Sequence, residues 1–391
     1  MIKALMGKNW KWIFIVYIIV LVVLSLVFAF VMRGENNWER GVYWTDPTDG
    51  GMVNTELTMS GRIYCKDEIQ SAELIFNDDK VYPIERTVIT HKGKDVSTIC
   101  VFMNEVSIDE GINDVKVRIV TADKEYIFHT MTLTAKADYY GDSFVFFSKD
   151  HFWAVAGCVI MLLILLGIYK LKPTENTRTF LYLAVAIMVL DLDLINRTVV
   201  FFDGGYNIAT NLPLHMCDLS ALALFALMFM KKGKRRDIVY DMLFIWGVAG
   251  AFMALITPDL IGYGFPTFTF FNFFFRHGGI VIGVLLVTFI EGYRPKLKAL
   301  PMVLVVSAVM AITVYGLNWL MTLFPPYDVG NYMFVMYPPL GGSPIDLMKD
   351  IFGPSPWYMI GLIILTAIFY ILFWIPFGIE GAIKRKKHSR K

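Results

Sequence analysis

The basic residues of this chain fall in every second gap between its apolar stretches, and that pattern limits its possible folds more than any motif does. A helix needs about 20 apolar residues to cross a hydrocarbon core about 30 Å thick. Trp12 to Met32 meets that length, and seven further stretches lie near residues 152 to 170, 179 to 201, 211 to 230, 237 to 257, 271 to 291, 299 to 324 and 357 to 380. Lysine and arginine collect in the cytoplasmic loops of membrane proteins. The segments expected inside carry Lys170, Lys172 and Arg178; Lys231, Lys232, Lys234, Arg235 and Arg236; Arg294, Lys296 and Lys298; and a tail with Lys384, Arg385, Lys386, Lys387, Arg390 and Lys391. The outer loops between them offer only Lys349. A missed or spurious helix would throw these clusters onto alternating sides. The sequence therefore predicts a polytopic α-helical membrane protein with eight transmembrane helices, one plus seven, and both termini in the cytoplasm.

With 56% hydrophobic and 18% charged side chains in 391 residues, a single water-soluble domain is excluded, since such domains run at about 45–50% apolar and about 25% charged. The basic clusters read as topology signals with attraction to anionic headgroups, about 1 kcal/mol per residue. Membrane lipids are thus expected partners, and the Lys231-Lys-Gly-Lys-Arg-Arg loop is not evidence for nucleic acid. The first stretch follows Lys3, Lys8 and Lys11 and closes with Phe30-Val-Met-Arg. A cleaved signal peptide has a shorter apolar region of about 7–15 residues and a small-residue cleavage site, so residues 1–33 read as a cytoplasmic tail and an uncleaved anchor.

From Gly34 to Phe147 charge returns, and period-two runs appear in Glu56-Leu-Thr-Met-Ser, Ala72-Glu-Leu-Ile-Phe and Val115-Lys-Val-Arg-Ile-Val. Such alternation marks half-buried strands. Asp46-Pro-Thr-Asp-Gly-Gly, Asn77-Asp-Asp-Lys and Glu110-Gly-Ile-Asn-Asp supply turns. Residues 34–147 are therefore expected to form an extracytoplasmic, all-β immunoglobulin-like sandwich between the first two helices, open to cell-surface or cell-wall partners. The first turn, Ser60-Gly-Arg-Ile and Glu110-Gly-Ile-Asn also resemble bacterial surface Ig-like modules. Cys65 and Cys100 either bridge the two sheets, as an oxidising exterior allows, or sit reduced in the core. Residues 148–383 then form the seven-helix domain and 384–391 a basic cytoplasmic tail.

Ionisable groups at membrane depth cost about 2.5–3.5 kcal/mol each on insertion scales and face protein or water rather than lipid. The helix from Thr179 carries Asp191, Asp193, Asn196 and Arg197 in its middle and outer half; the next begins with Asn211, His215, Cys217 and Asp218; the one from Phe271 brings Arg276 and His277, and the one from Ala299 Tyr315 and Asn318. All fall in one layer, which implies a shared polar pocket facing outward. Asp193 and Arg197 are four apart and His215 and Asp218 three apart, so each pair is adjacent on its helix. Cys217, two from His215, needs a base from elsewhere, with His277 the leading candidate. Each also has a plainer reading, as an ion pair, an interhelical hydrogen bonder or a packing thiol. Gly278 and Gly279 read first as a close helix contact, and Cys158 as packing. The loop from Pro325 to Pro356, with Asn331-Tyr-Met-Phe, Gly341-Gly-Ser-Pro and Gly353-Pro-Ser-Pro-Trp-Tyr, either caps the pocket or lies along the interface. No nucleotide-binding loop, haem motif or metal-ligand set stands out, the nearest approach being His215 with Asp218 and Asp191, so no cofactor or metal is expected.

Asn211-Leu-Pro-Leu-His-Met-Cys-Asp-Leu-Ser, His277, Asn331-Tyr-Met-Phe and Gly353-Pro-Ser-Pro-Trp-Tyr resemble the YwaF-type family of bacterial seven-helix integral membrane proteins over about residues 150 to 380. That bacterial family is functionally uncharacterised. A distant eukaryotic branch, similar in helix count, is regarded as a phospholipid acyltransferase using cysteine and histidine at a comparable helix entrance. There the cysteine directly precedes the histidine in an Asn-Pro-Cys-His element; here Leu214 holds that position and Cys217 follows His215 by two.

The resulting expectation is a membrane-embedded lipid acyltransferase or lipid hydrolase. His215, His277, Cys217 and Asp218 are its candidate catalytic groups. Asp191, Asp193, Asn196, Arg197, Asn211, Arg276, Tyr315, Asn318 and Asn331 are candidate substrate contacts. The alternative is a transporter or receptor binding a small polar ligand through the same groups. A scaffold acting through its sandwich is a third reading.

Overall fold

The computed structural model describes residues 2–32, 40–47, 50–65, 67–84, 86–90, 98–137, 144–202, 206, 208–258, 260, 264–323, 330–339 and 344–388. Thr48 and Asp49 of the first turn, Pro325 and Pro326, Gly341 to Ser343, Arg390 and Lys391 lie outside these residues, as does the side chain of Cys100.

Helix α1 (Ile2–Met32) leads into nine described strands: β1 (Arg40–Asp46), β2 (Met52–Val53), β3 (Glu56–Cys65), β4 (Ile69–Phe76), β5 (Lys80–Pro83), β6 (Arg86–Thr90), β7 (Thr98–Ser107), β8 (Gly111–Thr121) and β9 (Glu125–Ala135). They form two sheets, ordered β1-β3-β7-β6 and β2-β9-β8-β4-β5. The alternation in the sequence sends Met59 and Ile63 of one sheet and Leu74, Val115, Val117 and Leu133 of the other into one shared core. Asn77 and Asp78, between β4 and β5, both take positive φ, 52° and 60°. Positive φ at both central residues makes a type I′ turn, closed by the Asp79 N–H on the Phe76 carbonyl at 3.0 Å, and asparagine and aspartate tolerate that conformation. An inter-sheet cysteine bridge is ruled out. The β3–β7 register pairs Cys65 with Thr98 and Ile63 with Cys100, so both cysteines belong to the same sheet, two positions out of register.

The helical part follows as α2 (Lys149–Leu171), α3 (Glu175–Phe202), α4 (Met216–Phe229), α5 (Lys234–Leu243), α6 (Ala251–Ile256), α7 (Phe268–Glu291), α8 (Leu300–Leu320), α9 (Pro344–Phe352) and α10 (Tyr358–His388). A π-helical turn, Phe244–Gly250, joins α5 to α6 as one span. Among the described residues, seven helices have the length and apolarity to cross a membrane, α1 among them. Helix α4 differs from its expected extent of residues 211 to 230. It has only 14 residues, about 21 Å at 1.5 Å per residue. Pro213 lacks an N–H and drives Leu212 away from helical backbone, so 211–215 is irregular. The loop expected between residues 325 and 356 also contains a short 3-10 turn, Tyr332–Phe334, and α9, which packs on α10 where Gly361 meets Met348 and Phe352.

Three glycines bring α7 to the centre. A Cβ at Gly278 would overlap Cys158 of α2, one at Gly279 would overlap Val189 of α3, and one at Gly283 would overlap Leu224 of α4. Helix α1 packs on the bundle: Tyr17 donates to the Leu190 carbonyl at 2.7 Å, and Phe14 stacks on Phe225. At the basic end of the bundle Arg236 forks onto Glu291 at 2.6 and 2.8 Å, and Tyr182 donates to the same carboxylate at 2.9 Å. The opposite end lies near the β-domain, where Arg62 of β3 reaches the Tyr337 hydroxyl at 3.5 Å.

Candidate functional site

In low dielectric a charge persists only when neighbours compensate it. On α3, Nε and Nη2 of Arg197 donate to the two oxygens of Asp193, each at 3.1 Å. The same guanidinium crosses to α4, where Nη2 stands 3.0 Å from Asp218 Oδ1, and its Nη1 donates to the Asn211 carbonyl. From α7, Arg276 Nη2 lies 2.8 Å from Asp193 Oδ1 and also pairs with Asp218. Two carboxylates and two guanidiniums from three helices therefore cancel in a cluster whose carboxylates are each 4% exposed. The irregular Asn211–His215 segment is tolerable at this depth because protein satisfies its backbone: Arg197 takes the Asn211 carbonyl, and Tyr332 accepts from the Leu212 N–H at 2.8 Å while donating to the Ile208 carbonyl. Burial raises the pKa of the Tyr332 phenol, which keeps the proton it donates.

Asp218 has a second task. Its Oδ2 accepts from the backbone N–H of His215 at 2.9 Å, which fixes the start of α4. With its other oxygen held by both arginines, the carboxylate serves the His215 backbone, whereas the sequence spacing pointed to the ring. That ring lies against Tyr332 and Phe334, with centroids 5.2 and 5.5 Å away.

The aromatic wall is built with strain. Met333 and Phe334 take φ of 58° and 52°, a region large side chains avoid. Asn318 holds them from α8 through both its amide atoms, to the Tyr332 carbonyl at 3.2 Å and the Tyr332 N–H at 3.0 Å. Asn331 binds the far side of the loop at the Met336 and Tyr337 backbone. Tyr358 donates to the Phe334 carbonyl. Asn318 and Asn331 thus position a wall and do not enter the charged cluster. Tyr315, half-buried, packs in the apolar group around Val314 and Met333.

His277 occupies the next position after Arg276 on α7, 9% exposed. Its Nδ1 lies 2.9 Å from the Phe273 carbonyl, and its ring packs tilted against Phe273 with centroids 4.2 Å apart. A carbonyl only accepts, so in the neutral ring Nδ1 carries the proton and Nε2 keeps its lone pair. Asp218, Arg276 and His215 are its electrostatic neighbours.

Cys217 packs, half-buried, against the central apolar core, and no hydrogen bond reaches its Sγ among the described residues. Cys158 is 9% exposed, and its Sγ points to the Phe274 carbonyl at 3.6 Å. Asn196 is half-buried and outside the cluster. Asp191 stands apart on the exposed face of α3, in the stripe of Ile187, Ile195 and Val199 beside Tyr17 of α1. Two residues are about 200° around a helix, so it faces away from Asp193. Among the described residues no group of three metal-binding side chains assembles. Tyr332 and Asn272, the latter buried one turn before Arg276, escaped the sequence reading. Asn272 carried a signal in its four-residue spacing from Arg276.

A model of the TMEM164 family matches residues 146–374. The chain belongs to the TMEM164 family. The TMEM164 match begins just ahead of α2 and ends within α10, so it includes every residue of the charged cluster and leaves out α1 and the β-domain. No curated protein matches the chain.

Proposed function

We propose that this TMEM164-family protein is a membrane-embedded enzyme acting on the ester bond of a lipid, as an acyltransferase or hydrolase, in the leaflet nearest its β-domain. The observation that carries the reading is His277, a buried imidazole held by Phe273 in the tautomer that leaves the Nε2 lone pair open to a proton. In the reaction, the oxygen of an acceptor alcohol or water bonds to the ester carbonyl carbon, and its proton passes to Nε2. The original C–O bond then breaks, and the proton leaves with the departing alcohol.

His215, against its aromatic wall, shapes the approach to this base. Cys217 is assigned packing, in keeping with its contacts and with Leu214 in the place of the cysteine of the eukaryotic branch. The basic clusters support cytoplasmic termini and an extracytoplasmic β-domain. The strand orders β1-β3-β7-β6 and β2-β9-β8-β4-β5 support an immunoglobulin-like sandwich, since they follow its ABED and GFC connectivity. That module is the surface offered to cell-surface or cell-wall partners.

The test is lipidomics of host membranes expressing the wild type, His277→Ala, His215→Ala or Cys217→Ala at matched levels. The wild type is expected to shift lipid acyl composition relative to the empty host. His277→Ala should abolish the shift, in line with a base contributing about 10²–10⁴-fold, and Cys217→Ala should retain it. Identical profiles for the wild type and the empty host would overturn the enzyme reading and leave the ligand-binding one.

A further inference from the structure

We propose that α9 lies in the plane of the membrane surface and presses Leu347 and Ile351 into the leaflet nearest the β-domain. The nine residues Pro344–Phe352 are about 14 Å long, too short to cross a core about 30 Å thick. They form a helix of two faces. Leu347 and Ile351 are four apart and share one side. Met348 and Phe352, each one residue further and so about 100° round, close on Gly361 of α10. Asp346, Lys349 and Asp350 fill the arc from about 200° to 300° beyond Leu347.

The contact with α10 covers only part of the apolar side, for Leu347 and Ile351 stay 56% and 61% exposed. Aliphatic side chains held in that way leave water where an apolar phase is within reach. The neighbouring chain identifies the phase as lipid. Helix α9 stops at Gly353, whose φ of 87° turns the backbone and whose N–H closes on the Lys349 carbonyl at 2.8 Å. Trp357 follows, 62% exposed, and tryptophan gathers at the membrane–water boundary. Next comes α10, long and apolar enough to span, with Ile360, Ile364 and Ile368 exposed along it. The exposed apolar residues of α9 and Trp357 therefore lead directly into a lipid-facing stripe. The charged arc holds two acids and one base, so the helix is held by insertion of its apolar side and not by attraction to anionic headgroups. Among the described residues, none from α9 joins the apolar group around Tyr332 and Met333. Helix α9 is thus an anchor beside the aromatic wall, not a cap over the pocket.

The test uses the full-length protein in phosphatidylcholine nanodiscs, with the photocrosslinker benzoylphenylalanine in place of Leu347, Lys349 or Ile351, one at a time. After irradiation, mass spectrometry is expected to find phosphatidylcholine adducts from the Leu347 and Ile351 positions and a loss of them from the Lys349 position. Adducts to the β-domain would make α9 a cap, and adducts to a second copy would make the apolar pair an oligomer contact; either overturns the proposal. So does equal lipid labelling from all three positions. If those proteins do not fold, wild type and Trp357→Phe are compared with brominated phosphatidylcholines as fluorescence quenchers. An in-plane helix sits about 5–10 Å into the boundary of headgroups and acyl chains. The fluorescence lost with Trp357→Phe should therefore be quenched more by lipid brominated high on the chain than by lipid brominated near its end. A Trp357 component that neither lipid quenches, or that the deeper bromine quenches more, overturns the proposal.

Discussion

Asp218→Asn isolates the electrostatics of the buried cluster from its shape. The amide keeps the size of the side chain and can still accept from the His215 N–H, but it leaves Arg197 and Arg276 facing a single carboxylate, Asp193. Removing one partner of a buried ion pair costs about 3–5 kcal/mol, because the remaining charge is uncompensated. Arg276→Gln alone leaves the opposite imbalance and should cost a similar amount. The double variant restores neutrality, with Asp193 and Arg197 still paired at 3.1 Å. It should therefore be less destabilised than the sum of the two singles, by about 2 kcal/mol or more, within the range seen for coupled neighbours. The assay is reversible unfolding of the full-length protein in mixed dodecylmaltoside and SDS micelles, followed by circular dichroism and tryptophan fluorescence. If the single changes add to within about 0.5 kcal/mol, the four charges do not form one unit and the account of the cluster fails.

Two further outcomes follow from local geometry. Tyr332→Phe strips the Leu212 N–H of its acceptor and the Ile208 carbonyl of a donor, at about 1–3 kcal/mol, and hydrogen exchange at Leu212 and Leu214 should accelerate while exchange in α10 stays unchanged. Gly279→Leu forces a side chain into Val189 and Met188 and should cost about 1–3 kcal/mol or more by overpacking, seen as a lower melting temperature; a variant as stable as wild type would show that α3 and α7 are not in close contact.

The spans were legible because burial in lipid acts on whole segments. The stretch expected from 271 to 291 is α7 to within a few residues, and the one from 152 to 170 is α2. The strands near Glu56, Ala72 and Val115 showed themselves through alternation that the burial of β8 repeats residue by residue. Spacing also revealed Asp193 with Arg197, since both lie on one helix. It could not reveal that Arg276 joins them, nor that Asp218 turns to the arginines, because contacts between helices depend on rotations no local pattern encodes. Asp191 shows the converse. The stripe of Ile187, Ile195 and Val199 marks its face as exposed, and helical periodicity places it there, whereas depth alone grouped it with Asp193. Helix α9 was missed because nine residues between Pro344 and Phe352 are too few for a periodic signal.

The Asp193–Arg197 pair bears on how the chain enters the bilayer during synthesis. Because acid and base sit one turn apart on the same helix, α3 reaches the translocon already carrying its own counter-ion and partitions as a neutral dipole. Asp218 has no such companion within α4. That short helix must settle against α3 to find one, and α7 completes the charge balance only when the ribosome has delivered Arg276. The charge balance of this domain is thus shared across three helices, with α3 the one of them that carries both an acid and its counter-ion.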